Sequence, residues 1–293
     1  MVDWGLALFC LMVAPLVVDR VRFDANPLAG VAAWLGLTVV GWGALLVSLV
    51  RCGVGAANGS LLFGLEDFVH RLIKGGLSGM SLWSVVGLTL SFDLVVLMLG
   101  AFSVTTLRTM RARRRTRTVL DVVTSTHDGA TPYSVLDSAQ PVAYFVPGRG
   151  GRIVLSSATI DALPADELAA VVAHENGHRK GFHGALLLTL SAWTPFVPFV
   201  PMARLAPRSL HLYVEMMADD HARRDVGSAA LRRVLDKAAM FSPAPAAALG
   251  LSGMMMERRR LRCETAVTSA PVRIATGTVI AIVTVATLSL LVA

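Results

Sequence analysis

Residues 164–178 read Pro-Ala-Asp-Glu-Leu-Ala-Ala-Val-Val-Ala-His-Glu-Asn-Gly-His, and they point to one helix and one chemistry. Pro164 is pre-set for a first helical turn, and Asp166 and Glu167 put negative charge at the positive end of the helix dipole. Leu168 to Ala173 is uniformly apolar, so a buried helix is expected that carries polar groups at its far end. Residues four apart share a helix face, so His174 and His178 can aim ring nitrogens at one ion about 2 Å away. Glu175 then stands beside the water on that ion. Zinc lowers the pKa of such a water to about 7, which lets a neighbouring carboxylate take its proton and pass it to a leaving amine. His-Glu-x-x-His on a helix is the pattern of a zinc peptidase site. The plain alternative is a surface helix that happens to carry two histidines and a glutamate.

Two imidazoles leave the set incomplete, so a third ligand is expected downstream. Glu215-Met216-Met217-Ala218-Asp219 supplies two carboxylates one helical turn apart. Glu215 is assigned to zinc, and Asp219 to accepting the free ring N–H of a ligating histidine. His211, Asp220 and His221 stay open as rivals for the third position. His183 lies off the helix face and is expected to cap the helix end or face solvent. Without a metal, Glu215 reads as an exposed glutamate paired with Arg208 or Arg223. One zinc ion per chain follows. Gly177 stands where a helix former would be better, at a cost of about 1 kcal/mol. No Gly-rich phosphate loop is evident, and Cys10, Cys52 and Cys263 form no disulfide framework.

Composition independently indicates lipid. Hydrophobic residues make up 54% of the 293 and charged residues only 16%, against roughly 45–50% and 25% in soluble domains. Residues 28–50 and 274–293 carry no charge, and each run can cross about 30 Å of hydrocarbon. Residues 4–18 and Trp83 to Val104 complete four spans. Asp93 interrupts the latter, either facing the bundle interior with a partner or merely tolerated there. Arg108, Arg111, Arg113, Arg114, Arg115 and Arg117 follow that span and hold it with its basic end in the cytoplasm. They also carry much of the net charge of +7, and no aromatic interleaving or recognition helix marks them for nucleic acid. Contact with anionic lipid head groups is their expected secondary role. The N-terminus and residues 51–82 then lie outside, and Ser60 to Lys74 in that loop reads as an amphipathic helix.

Residues 184–203 pose a conflict, because twenty uncharged residues are long enough to cross the bilayer and separate Glu215 from His178. One ion cannot be shared across a membrane. The segment must therefore turn back, and Pro195, Pro198 and Pro201 are suitable breakers. A re-entrant or interfacial segment is expected. Residues 118–140 read as an irregular or weakly stranded lead-in to a hairpin whose edge can receive a peptide as an added strand. Residues 243–256 read as a mobile loop. Arg258, Arg259, Arg260 and Arg262 read as a solvated or lipid-facing basic helix, with oxyanion stabilisation as the sharper alternative.

The strand Val142 to Pro147, the turn Gly148 to Gly151, the strand Arg152 to Ser156 and the run Leu163 to His178 together resemble the BlaR/MecR-type antirepressor membrane metallopeptidases. So does the apolar, proline-containing stretch before Glu215 and Asp219. The resemblance covers roughly residues 85–290, to a short form without a C-terminal sensor domain. The HtpX and CAAX-protease group shares the same three ligands. What the resemblance implies is a gluzincin-type zinc endopeptidase in the cell membrane, its site on the cytoplasmic side, cleaving a repressor of the BlaI/MecI type, with self-cleavage as a second implied event. Housekeeping proteolysis of damaged membrane proteins and a non-catalytic membrane signalling scaffold are the competing functions. The expected fold is a mainly α, polytopic membrane protein with a small α+β zincin-like module. Residues 1–107 form the membrane region with three transmembrane helices, 108–270 the peptidase module and 271–293 a last transmembrane helix.

Overall fold

The computed structural model describes residues 2–55, 60–75, 80–127, 132–148, 151–237 and 246–264. The last apolar run, 274–293, and the turn residues Asp128-Gly129 and Arg149-Gly150 lie outside the described residues. The chain begins with α1 (Val2–Leu8), a π-helical turn (Phe9–Val13) and α2 (Ala14–Val18) in direct succession. Pro15 has no N–H to give, and the wider turn just before it lets the helix continue past the missing bond. In α3 (Pro27–Val54) the Asn26 side chain accepts the Ala29 N–H at 3.2 Å, and the helix ends on Gly55 in the left-handed region, φ 78°. α4 (Leu61–Gly75) is amphipathic: Leu61 is buried beside Val54, while Leu62, Phe63, Val69 and Ile73 are exposed.

α5 (Leu82–Val123) is 42 residues long and starts where the Ser81 hydroxyl accepts the Ser84 N–H. It and α3 are long and apolar enough to cross a membrane, with a shorter apolar helix at Trp4–Val18. Two such helices suggest, weakly, a membrane protein. Trp83, Phe92 and Leu99 of α5 face outward, as lipid-facing side chains would. Asp93 also lies exposed, and among the described residues no bundle interior surrounds it. α5 runs unbroken through residue 107, because arginine is a good helix former and extending a helix needs no new nucleus. The irregular lead-in expected from residue 118 is therefore helical to Val123.

A four-stranded sheet follows in the order β1-β2-β4-β3: β1 (Thr124–His127), β2 (Tyr133–Leu136), β3 (Ala143–Val146) and β4 (Arg152–Ser156). β3 and β4 form the expected antiparallel hairpin, with Tyr144 opposite Val154, and β2 adds in parallel to β4. This leaves β3 at the sheet edge. α6 (Ser157–Ala162) leads into α7 (Ala165–Lys180), whose buried Glu167 is gripped by Arg233 and Lys237 at 3.1 and 2.7 Å. Arg233 stands on α10 (Ser228–Asp236) and Lys237 directly after it.

The uncharged stretch breaks as its prolines predict. α8 (His183–Ser191) has nine residues, a rise of about 13 Å, which is under half the thickness of a hydrocarbon core. Turns carry the chain from residue 192 to 200, where Thr194 donates to the Ala203 carbonyl at 2.6 Å, and α9 (Pro201–Val226) returns to pack on α7. Two cores flank α9. One joins Val31 and Trp34 of α3 to Met202, Leu210 and Met216. The other joins Ile153 and Leu155 of β4 to Ala170, Ala222 and Leu231. α11 (Ala246–Glu264) lies against α10 and α9, so residues 246–256 are helical where a loop was expected.

Candidate metal centre

α7 and α9 come close where Gly177 faces Ala218; a Cβ on Gly177 would stand 3.0 Å from the Ala218 Cα and 3.2 Å from its carbonyl oxygen. Glycine is needed here for close approach, which explains its presence in a helix interior. That approach brings the C-terminal turns of α7 against the middle of α9. His174 Nε2 and His178 Nε2 lie 3.1 Å apart, and Glu215 places its two oxygens 3.4 Å from the first and 3.3 Å from the second. Ligand atoms about 2.0–2.1 Å from a tetrahedral ion lie about 3.3–3.4 Å from one another. The two nitrogens and the Glu215 carboxylate converge at about that range, one ligand atom from each residue lying within 4.8 Å of the others, and among the described residues they are the one group of three that could hold a metal.

The surrounding contacts orient the rings. His174 Nδ1 lies 3.0 Å from Asp219 Oδ1, the position expected for a carboxylate that fixes the tautomer. His178 Nδ1 lies 3.0 Å from His183 Nδ1. His183 is buried, which corrects the expectation that it caps the helix or faces solvent: α8 turns back so tightly that its first residue is folded under α7. The rivals for the third position go elsewhere. His211 is exposed, Asp220 pairs with Arg262 at 2.7 Å, and His221 faces Asp225 at 3.5 Å. Glu215 pairs with neither Arg208 nor Arg223 but with Arg259, at 3.1 Å.

Electrostatics follow from burial opposed by partners. Burial opposes charge on His174, yet Asp219 and Glu215 outweigh it and push its pKa up to about 10 in the metal-free centre. Burial and the His178 charge push His183 down to about 4. Burial also opposes charge on Asp219, but Arg259 and His174 hold it at about 2. Glu215 is held well below the usual carboxylate range, burial being overcome by Arg259 and the two histidines. Glu175 moves the other way, raised chiefly by burial, and accepts the N–H of Phe145 on the edge strand β3. A pocket of about 120 Å³ opens beside Glu175, walled by Ala143, Val171, Leu231 and Met256, with Arg259 at its side.

The four arginines of α11 were read as a solvated or lipid-facing face. Each instead has a carboxylate: Arg258 pairs with Asp24, Arg259 with Asp219, Arg260 with Asp236 at 2.7 Å and Arg262 with Asp220. Nothing local marked Arg259 as the one that turns inward.

Residues 109–251 match the model of peptidase family M48. No curated protein and no solved structure gives a match. The matched region contains α7 to α10, hence the whole cluster of His174, His178 and Glu215, and the match supports a metallopeptidase of a family that generally uses zinc. A peptidase implies a protein substrate.

Proposed function

We propose that the chain is a multi-pass membrane zinc endopeptidase of the gluzincin type, with His174, His178 and Glu215 as metal ligands and Glu175 as general base. The observation that carries this reading is the convergence of the two imidazole Nε2 atoms, 3.1 Å apart, with the Glu215 carboxylate, one oxygen of which lies 3.4 Å from the first and the other 3.3 Å from the second. Bound there, zinc supplies a water of lowered pKa and polarises the substrate carbonyl. Asp219 and His183 hold the outer nitrogens of His174 and His178, so both rings keep Nε2 for the metal. Glu175 takes the proton of the attacking water and returns it to the leaving amine. The edge strand β3 passes Glu175, so a substrate lying along it as an added strand brings its peptide bond to the base.

The membrane reading rests on α3, α5 and the shorter Trp4–Val18 helix, and its orientation on the arginines that follow Val104. The centre then faces the cytoplasm. By its resemblance to the BlaR/MecR type, the substrate is a cytoplasmic repressor of the BlaI/MecI kind, with self-cleavage as a second event. The family match does not single out such a substrate, so a second reading stands beside it: housekeeping cleavage of damaged membrane proteins, as in the HtpX-like group. Broad cleavage of unfolded membrane proteins by the purified chain selects the second, and cleavage confined to a repressor the first.

The enzyme claim is tested by Glu175→Ala. The variant is expected to keep one zinc per chain, measured by metal analysis, and to lose proteolysis. Proteolysis at the wild-type rate would end the claim and leave a membrane scaffold as the better reading.

A further inference from the structure

Arg259 arrives from α11, a helix that supplies none of the proposed ligands, and its side chain is 12% exposed. Its Nε and Nη2 grip the two oxygens of Asp219 at 2.7 and 2.8 Å, a two-pronged fit that only a guanidinium makes. Its remaining nitrogen, Nη1, reaches Glu215 Oε2 at 3.1 Å. Asp219 in turn faces His174 Nδ1 at 3.0 Å, and His174 Nε2 faces Glu215 Oε2 at 3.4 Å. Four side chains from three helices thus close a ring: Arg259, Asp219, His174, Glu215 and back to Arg259.

We infer that Arg259 is a positioning residue of the metal centre, fixing at once the carboxylate of the ligand Glu215 and the carboxylate that orients the ligand His174. The inference rests on the zinc reading of the centre. Its physical content is rotational. A glutamate on an exposed helix swings among several rotamers, and any that leave the His174 and His178 nitrogens lose the third donor. Arg259 holds Oε2, which leaves Oε1, 3.3 Å from His178 Nε2, as the oxygen not tied to a guanidinium. Asp219 is held by both oxygens, so it cannot turn away from His174.

The rest of α11 shows why the grip is firm. Arg258 pairs with Asp24, in the connection between α2 and α3, while Arg262 reaches Asp220 at 2.7 Å and the Met216 carbonyl at 3.0 Å. These clamps bracket Arg259 on both sides along the helix. α11 is thereby pinned to the acidic face of α9, and the ring is assembled only where α11 is docked.

The test uses the full chain in detergent, with zinc affinity measured by competition against a chromogenic chelator and the thermal midpoint of the metal-free protein measured in parallel. Arg259→Met is expected to weaken zinc binding by about 10–100-fold, the usual cost of losing a residue that orients a ligand. Arg259→Lys keeps a buried cation but has no fork, so it is expected to fold with a midpoint near wild type and to bind zinc with intermediate affinity. Arg260→Met, which breaks an outer pair with Asp236, is expected to leave affinity unchanged. The inference is overturned if Arg259→Lys, or a folded Arg259→Met, binds zinc as tightly as wild type. It is also overturned if Arg260→Met weakens binding as much, because docking of α11 alone would then be the cause. A wild-type chain that takes up no zinc would instead remove the functional reading beneath it.

Discussion

Gly177→Ala sets helix propensity against packing at the point where the centre is assembled. In an isolated helix the change stabilises by about 0.8–1.0 kcal/mol, because alanine loses less backbone freedom. Here the new methyl carbon would stand 3.0 Å from the Ala218 Cα, 3.0 Å from the His221 Cβ and 3.2 Å from the Ala218 carbonyl oxygen. Carbon atoms in ordinary contact lie about 3.5–4.0 Å apart, so α7 and α9 must separate by about 0.5 Å. All three obstructing atoms are backbone or Cβ, which cannot swing aside. Overpacking of this kind costs about 1–3 kcal/mol, so the net effect is a loss of about 0–2 kcal/mol where propensity alone predicts a gain. The same separation carries His174 and His178 away from Glu215, whose carboxylate oxygens lie 3.3–3.4 Å from their Nε2 atoms. Zinc affinity is expected to fall by about tenfold or more, since 1.4 kcal/mol is a factor of ten. The measurements are chemical denaturation of the metal-free protein and chelator competition for zinc. A variant about 1 kcal/mol more stable than wild type, with unchanged zinc affinity, would refute the argument from close approach.

Two further outcomes follow from the groups around the centre. His174 is pushed up to about 10 in the metal-free centre, so its ring is charged at neutral pH and must lose that proton to ligate. The sign is fixed: zinc affinity rises as pH rises, by about tenfold per unit through neutrality, with about one proton released per ion. Calorimetry in buffers of different ionisation enthalpy reads the release directly, and none would contradict the charged ring. His183→Ala removes the atom 3.0 Å from His178 Nδ1, and zinc affinity is expected to fall by about tenfold. Unchanged affinity in that variant would mean that His178 is oriented by the fold alone.

What could be read from the chain beforehand is what local spacing controls. The helix over 165–180 follows from Pro164, the two acids and the apolar run, and the meeting of three donors follows from two one-turn pairs, His174/His178 and Glu215/Asp219. The hairpin over 143–156 was legible from two short apolar runs on either side of a glycine-rich turn. The added strands β1 and β2 fall in the stretch legible only as irregular or weakly stranded, because short strands flanking polar residues carry no period of their own. His183 was misplaced for a related reason. Extrapolating the α7 face put it outward, whereas the chain leaves that helix at Gly181 and Phe182 adopts φ 50° to start α8. A single left-handed residue reverses the direction, and helical periodicity cannot express it.

The deepest constraint came from chemistry rather than hydropathy. By length alone residues 184–203 qualify as a span, and hydropathy contains nothing to refuse it. Requiring Glu215 to reach the same point as His174 and His178 forbids the crossing, and the chain has the prolines to obey. α8 stops after nine residues, Pro195 and Pro198 fall in the turns, and Pro201 starts the helix that returns. The same requirement explains why charge sits where it does on α9. Glu215, Asp219 and Asp220 would repel one another on a bare helix, and they are tolerable together because Arg259 and Arg262 come down on them from α11. Two buried carboxylates without that guanidinium would compete for a proton, and a protonated Glu215 is a poor ligand. A helix that looked like a basic surface from its own residues is therefore the electrostatic complement of the acidic one.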